Sequence, residues 1–283
     1  MRSFENKKRL RFTITLANGD RLTLEGFRAA ADIEKAGGMQ MGTLRARIYG
    51  VSMSDMNAVT TLQWRPDFTR PNTIEVVAID GDSETLVFAG NIVNAWGDYR
   101  GMPDVFLHVQ AQAAYFHQQR PIPPFSVSGG IDCALVMKRI ADGLGLAFEN
   151  NNVNVTITDI YLAGNLVDQA REVSLAGDFD YYIDDKVLAI TNRYEPRVDY
   201  VAEISPESGL VGYPTFDSIG VTIEALFNPA VTFGGKVNLR TDIARASGSW
   251  TVVSLSHHLE AEKPNGAWHS VIRGSAHGFA IVK

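Results

Sequence analysis

One cysteine, Cys133, in 283 residues leaves no partner for an internal disulfide and fits synthesis in a reducing compartment. Long apolar runs are missing too. No stretch approaches the ~20 residues needed to cross a bilayer, so membrane insertion by this chain is not expected. Lys7, Lys8 and Arg9 are not followed by an apolar core of a signal peptide. Excess positive charge is absent: the formal net charge is -6 and the isoelectric point about 5.5, which argues against a protein that grips nucleic acid. There is no low-complexity segment and no short repeat. HExxH, CxxC and GxSxG are all lacking, which removes the usual zinc-protease, zinc-ribbon and serine-hydrolase readings.

What is present is an ordinary globular composition, 45% hydrophobic and 20% charged, long enough for two or three domains. The first ~112 residues read as β. Leu10, Phe12, Ile14 and Leu16 alternate, Asn18-Gly19-Asp20 predicts a type I′ hairpin turn, and Leu22, Leu24 and Phe27 return. Leu44, Ala46 and Ile48 alternate with Arg45, Arg47 and Tyr49 in a further strand. "MSDMNAVTTLQ" predicts a short helix capped by Ser54 or Asp55, with Met56, Val59 and Leu62 on one face. "NTIEVVAID", "TLVFAGNIVNAWG" and "DVFLHVQAQAA" are strands, giving about six strands and one helix, a barrel or sandwich.

The prolines at 121, 123 and 124 mark a stiff connector. Beyond it the pattern becomes α+β. "GGIDCALVMKRIADGLGL" predicts a helix with Asp132 near its start, Ile131, Leu135 and Ile140 inward, and Gly143 and Gly145 ending it. "NVTITDIYLAG" is a strand. "NLVDQAREVSLAGD" is a helix capped by Asn165, with Leu166, Ala170 and Val173 on one face and Gly177 at its C-cap. "FDYYIDDKVLAITNR" is a hairpin turning at Asp184 and Asp185. The tail returns to strands at 221–227, 235–239, 250–259 and 268–274, too few for a comfortable independent barrel. The expected division is 1–112, a first β module; 113–204, an α+β domain; and 205–283, a second β module completed by strands from elsewhere in the chain.

The candidate chemistry is thin. His257 and His258 are neighbours in a strand and point to opposite faces. A zinc site of His257, His269 and His277 is conceivable, but surface or interface histidines are the plainer reading. Asp178, Asp180, Asp184 and Asp185 could supply a glycosidase pair, yet acids at a hairpin tip usually belong to a solvated turn. Cys133 near a helix start reads as a buried structural thiol in the absence of a partner histidine. "TFGGKVNL" lacks the hydroxyl residue after Lys236 and leads into a strand, so it is not a phosphate loop. Trp64, Trp96, Trp250 and Trp268 are scattered among strands, as core and interface residues are. No catalytic, cofactor-binding or metal-binding residue is assigned, and an enzyme is not expected.

One combination is more specific. Pro214 and Gly220 precede the alternating strand "GVTIEAL"; Phe227-Asn228-Pro229 turns a corner; Gly234-Gly235 opens the next strand. Gly248 leads into "WTVVSLSHHLE", and "PNGAWHSVIRG" makes a last hairpin. Asn-Pro fixes φ and removes an N–H, and the glycines permit tight reversals. This block, with "NTIEVVAIDGD" and "TLVFAGNIVNAWGD" upstream, resembles the baseplate hub proteins of tailed phages.

The resemblance implies a mainly β fold with an α+β insertion: two tail-tube-like β-barrel modules plus a small α+β domain. It implies a homotrimer, a ring of six quasi-equivalent barrels that joins the tail tube or distal tail protein to a threefold spike and touches other baseplate proteins. Genomic DNA would pass through its channel without specific binding. Such a protein is a virion component made in the host bacterial cytoplasm. Three copies at -6 sum to -18, so an acidic wall that repels phosphates is expected. The rival readings are a peptidoglycan hydrolase of the tail tip built on the Asp178–Asp185 region, and a glycan- or receptor-binding tail module presenting the tryptophans.

Overall fold

The computed structural model describes residues 8–36, 41–61, 71–193, 195–197, 200–218 and 220–276. The elements run β1 (Lys8–Thr15), β2 (Arg21–Glu25), β3 (Ala29–Ala36), β4 (Thr43–Tyr49), α1 (Met53–Val59), β5 (Thr73–Asp80), β6 (Ser83–Asp98) and β7 (Phe106–Gln112). They continue through α2 (Tyr115–Gln118), β8 (Phe125–Asp132), α3 (Cys133–Leu144), β9 (Ala147–Asn151), β10 (Thr156–Leu162), α4 (Leu166–Gly177), β11 (Phe179–Asp184) and β12 (Val187–Asn192). Last come β13 (Val201–Ile204), β14 (Thr215–Phe216), β15 (Val221–Leu226), β16 (Lys236–Leu239), β17 (Gly248–Ala261) and β18 (Trp268–Ser275). The fold is mainly β, as the composition and alternation imply. Two compact units divide the chain: the described parts of Met1–Glu34, Gly42–Ala113 and Ser256–His269, and those of Lys35–Met41, Ala114–Leu255 and Ser270–Lys283.

In the first unit the strand order is β3-β4-β7-β6-β5-β1-β2, antiparallel throughout. The alternation read from the sequence sorts the side chains. Leu10, Phe12 and Ile14 of β1, Leu44, Ala46 and Ile48 of β4, and Leu107 and Val109 of β7 are all buried. Each large apolar side chain so enclosed contributes roughly 1.5–3 kcal/mol. The first hairpin differs from the expected type I′. Its loop is Ala17-Asn18-Gly19, the Gly19 N–H donates to Leu16 O at 2.9 Å, and only Gly19 (φ 95°) has positive φ. That is a three-residue turn ending in a left-handed glycine. In α1 the cap is Ser52, whose side chain accepts from Asp55 N; Met56 and Val59 are buried as expected. Leu62 and Trp64 lie outside the described residues.

β3 was not anticipated. "AAADIEKA" has the composition of a helix, but pairing with β4 (Ala31 opposite Ala46, Ile33 opposite Leu44) buries Ala31 and Ile33 and overrides local propensity.

In the second unit α3 begins at Cys133. Asp132 caps it, accepting from Ala134 N, and Gly129–Asp132 belong to strand β8 against β10 instead of the helix. The inward stripe is Cys133, Val136, Met137, Ile140, Ala141 and Leu144, a clean 3–4 spacing; Leu135 falls off it and is 62% exposed. Asn165 caps α4 through a full capping box. The C-cap is Asp178 (φ 52°), one residue later than expected. Gly177 is the last helical residue, and a Cβ there would lie 2.9 Å from the Cys133 sulfur and 2.7 Å from the Phe179 ring, so the position takes glycine for want of room.

β11 and β12 form the expected hairpin, with β9 parallel to β12. In the tail β16 lies between β13 and β17, and β17, β18, β15 and β14 follow in order. One core joins these strands to the hairpin: Tyr182 and Ala189 pack with Ile204, Ile223, Val237 and Ile272. The Asn-Pro corner is a turn in which Val231 N donates to Asn228 O at 3.1 Å and Ala230 N to Asn228 Oδ1 at 2.9 Å. A second turn follows, Gly235 N to Thr232 O at 3.1 Å, with Gly234 at φ 81°.

Gly220 makes the closest approach: a Cβ would fall 2.1 Å from Gly274 O. Gly220→Ala is therefore expected to lower the melting temperature strongly or prevent soluble folding, while Gly101→Ala, whose nearest neighbour would be at 3.5 Å, changes it little. Thermal melts of the two variants beside the parent check this.

Candidate functional site

The histidines separate as strand geometry demands. His257 of β17 is buried, and His258 faces the opposite side. The neighbour of His258 is His269 on β18, with ring centroids 5.2 Å apart, and its Nδ1 lies 2.9 Å from Asp32 Oδ1 on β3. A cavity of about 330 Å³ in the first unit lies among these groups and Arg47. Of the trio His257, His269 and His277, His257 faces the core while His269 lies beside His258 on the other face, and His277 is outside the described residues. Among the described residues no group of three or more His, Cys, Asp or Glu is placed to hold a metal.

The acids of the β11–β12 hairpin overturn the solvated-turn reading. Asp184 and Asp185 are almost enclosed, and both meet Lys35. Its Nζ lies 2.6 Å from Asp184 Oδ1, an ion-pair contact, and donates to Asp185 Oδ2 at 2.9 Å. Arg197 donates to Asp184 Oδ2 at 2.8 Å and reaches Glu149 at 3.4 Å. The Arg197 backbone N–H donates to Gly234 O at 2.8 Å, tying the cluster to the turn before β16. Burial opposes the charge on Asp184, but Lys35 and Arg197 together hold its carboxyl below the usual range. Asp185 goes the other way. Burial, aided by the Asp184 charge, pushes it up to about 6, and its Oδ1 has no hydrogen-bond partner among the described residues.

This is a structural clasp. A hydrolytic pair needs a carboxyl open to substrate, whereas both acids here are enclosed around one ammonium. Asp178 is mostly exposed and pairs with Arg193.

The remaining candidates also settle into structure. Cys133 is fully buried, and burial raises its thiol pKa, the opposite of an activated nucleophile. Lys236 opens strand β16. Trp96 stacks on His108 (centroids 4.5 Å), Trp250 donates its indole N–H to Ala246 O at 2.8 Å, and Trp268 is buried. They form no shared exposed platform among the described residues.

A family model described as baseplate hub gp41 matches residues 9–265. No curated protein matches the chain. Among solved structures, a tail protein from Neisseria meningitidis MC58 is 10% identical, with 94% of this chain and 96% of that one aligned at a TM-score of 0.65. The 43 kDa tail protein of prophage MuSo2 from Shewanella oneidensis is 9% identical over 93% and 96% of the two chains, TM-score 0.63. An E. coli component of the type VI secretion system, described as similar to the T4 tail proteins gp27 and gp5, is 8% identical over 90% and 74%, TM-score 0.57. At these identities the likeness is one of fold.

The clasp makes a signed prediction. A carboxyl at about 6 in the folded protein and ~3.9 unfolded disfavours folding when ionised; the cost is absent below pH ~4 and complete above pH ~6. Asn at position 185 keeps an acceptor for Lys35 and tolerates the left-handed backbone (φ 53°). Asp185→Asn should therefore gain on the order of 1–3 kcal/mol relative to the parent between about pH 4 and pH 7.5 in urea melts. Arg197→Met, which leaves Asp184 half-compensated, should cost about 3–5 kcal/mol at neutral pH. A flat difference for Asp185→Asn across that range contradicts the clasp.

Proposed function

This chain belongs to the baseplate hub gp41 family, and from that premise we propose that three copies close into a ring of pseudo-sixfold symmetry that adapts the tail tube to a threefold spike and leaves a channel for DNA. The tube-like modules in this reading are 1–112 and 205–283, and the α+β segment 113–204 meets neighbouring baseplate proteins. The role is structural, in the virion baseplate after synthesis in the host cytoplasm. DNA passes without sequence-specific contact.

The observation that carries the reading beyond the family is that neither strand order closes on itself among the described residues. In the first unit it ends on β2, in the second on β14. An open edge carries unpaired N–H and C=O groups, and closed cyclic assembly is a general way to cover such edges. β14 is only two residues long and follows Pro214, which limits uncontrolled pairing there. Likeness over nine-tenths of the chain to tail proteins, and to a secretion-system component described as similar to gp27 and gp5, supports a place at a tube–spike junction.

Light scattering on the purified chain, alone and mixed with the spike product of the same tail, tests this. The expected species holds three copies of the 31.0 kDa chain in at least the mixture. A single copy under both conditions contradicts it. So does clearing on a peptidoglycan zymogram that Asp180→Asn removes while the variant keeps the parent's melting temperature.

A further inference from the structure

Asp32 of β3, His258 of β17 and His269 of β18 form one row across three adjacent strands of the first unit. Glu260 N donates to Ala267 O at 2.7 Å, and that antiparallel register carries on to set His258 opposite His269. Both imidazoles are half-buried and stand on the face away from His257 and Leu259, which are buried. The row takes no part in the apolar core.

Its members have the chemistry of a metal site. An Asp carboxylate only accepts hydrogen bonds, so its contact with His258 Nδ1 at 2.9 Å places the proton on Nδ1 and the lone pair on Nε2. Metal-binding histidines are oriented by a carboxylate in this way. The ring centroids of His258 and His269 are 5.2 Å apart. A zinc ion ~2 Å from a ring nitrogen lies roughly 3.2 Å from that ring's centroid, and two rings so placed at a tetrahedral angle have centroids ~5.2 Å apart. The cavity beside them holds about 330 Å³. That is room for an ion and several waters at ~30 Å³ each. Arg47 lines the same cavity and opposes a cation, but its charge is offset by Glu260, which attracts both Arg47 and Lys263.

We propose that His258 and His269 bind a divalent transition metal ion of the zinc class, with Asp32 as the positioning carboxylate. Imidazole ligands select zinc, copper or nickel over magnesium and calcium, which take oxygen. Among the described residues the two imidazoles are the whole protein ligand set, in keeping with the lack of any group of three or more, and water fills the other positions. Two protein ligands make the site weak and exchangeable. The ion clips β17 to β18 and, through Asp32, to β3, and it stabilises the first unit by mass action. The site belongs to the single chain and is independent of the ring.

Calorimetric titration of zinc chloride into the full-length, tag-free chain, stripped with EDTA and dialysed, tests it. The parent should bind one ion per chain, and zinc should raise its melting temperature until EDTA is added. His258→Gln and His269→Gln each remove a ligand and should abolish saturable binding. Asp32→Ala leaves both ligands and should weaken binding about 10–100-fold, with the zinc-free melting temperature close to the parent's. Asp32→Asn, which keeps an acceptor for Nδ1, should lose less. His117→Gln, in α2, should change nothing.

Modification of the parent's histidines by diethyl pyrocarbonate, mapped by mass spectrometry, gives a readout that needs no variant. The His258 side chain is 40% exposed and open to the reagent, and zinc should protect it and His269 together. No saturable binding by the parent at millimolar zinc overturns the assignment. So does binding that survives both histidine substitutions, or protection of other histidines only, which puts the ion elsewhere. One ion per three chains, the mark of an ion on a shared axis, overturns it as well.

Discussion

A β-strand must send alternate side chains to opposite faces, and the division of each sheet into an apolar and a polar face follows from that period of two. In β4 the rule puts Leu44, Ala46 and Ile48 into the core and Arg45 and Arg47 into solvent. Pairing then fixes which residues of β3, β7 and β6 join each row. A one-residue slip would bury two guanidiniums, at a cost far larger than the few kcal/mol by which a domain is stable. The core thus enforces the polar face: the apolar residues that hold the first unit together also hold its surface donors in register.

In the second unit the same sheet logic meets a harder problem, because charges are buried. Asp184 and Asp185 end and turn a hairpin whose neighbours Tyr182 and Ala189 belong to the core. Lys35, Arg197 and Glu149 compensate them inside, and the Arg197 backbone carries the link to the Gly234 turn. A buried ion cluster of this kind gives specificity of arrangement more readily than net stability. The glycines act on shorter range: Gly177, Gly220 and Gly234 stand where another backbone, ring or sulfur leaves no room for a Cβ.

Much of this could be read from the residues alone, for physical reasons that differ by element. Strands with strict alternation, β1, β4 and β7, were legible because one face is wet. Asn165 was legible as a cap because its side chain bonds to the next turn. β3 was not, since its alanines favour helix and only β4 makes it a strand. Leu135 falls off the inward stripe because α3 begins only at Cys133, after the strand that Ile131 belongs to. The two acids at the hairpin read as a solvated turn from local sequence alone, because their partner, Lys35, is 150 residues from Asp185 in the chain. The exposed positions of Arg45 and Arg47 are legible as alternation, but their cross-strand neighbours come from strands that only the register identifies. The corner glycines and Asn228-Pro229 carried the family resemblance, since rigid turns leave a clearer trace in sequence than the apolar residues between them, which exchange freely.

The central claim is that this chain is a symmetric structural part built around an open axis. The most direct test is an electron cryo-microscopy reconstruction of the intact tail tip containing it. The account predicts three copies encircling a channel between tube and spike. A single copy per tip, or three copies around a filled axis, contradicts it.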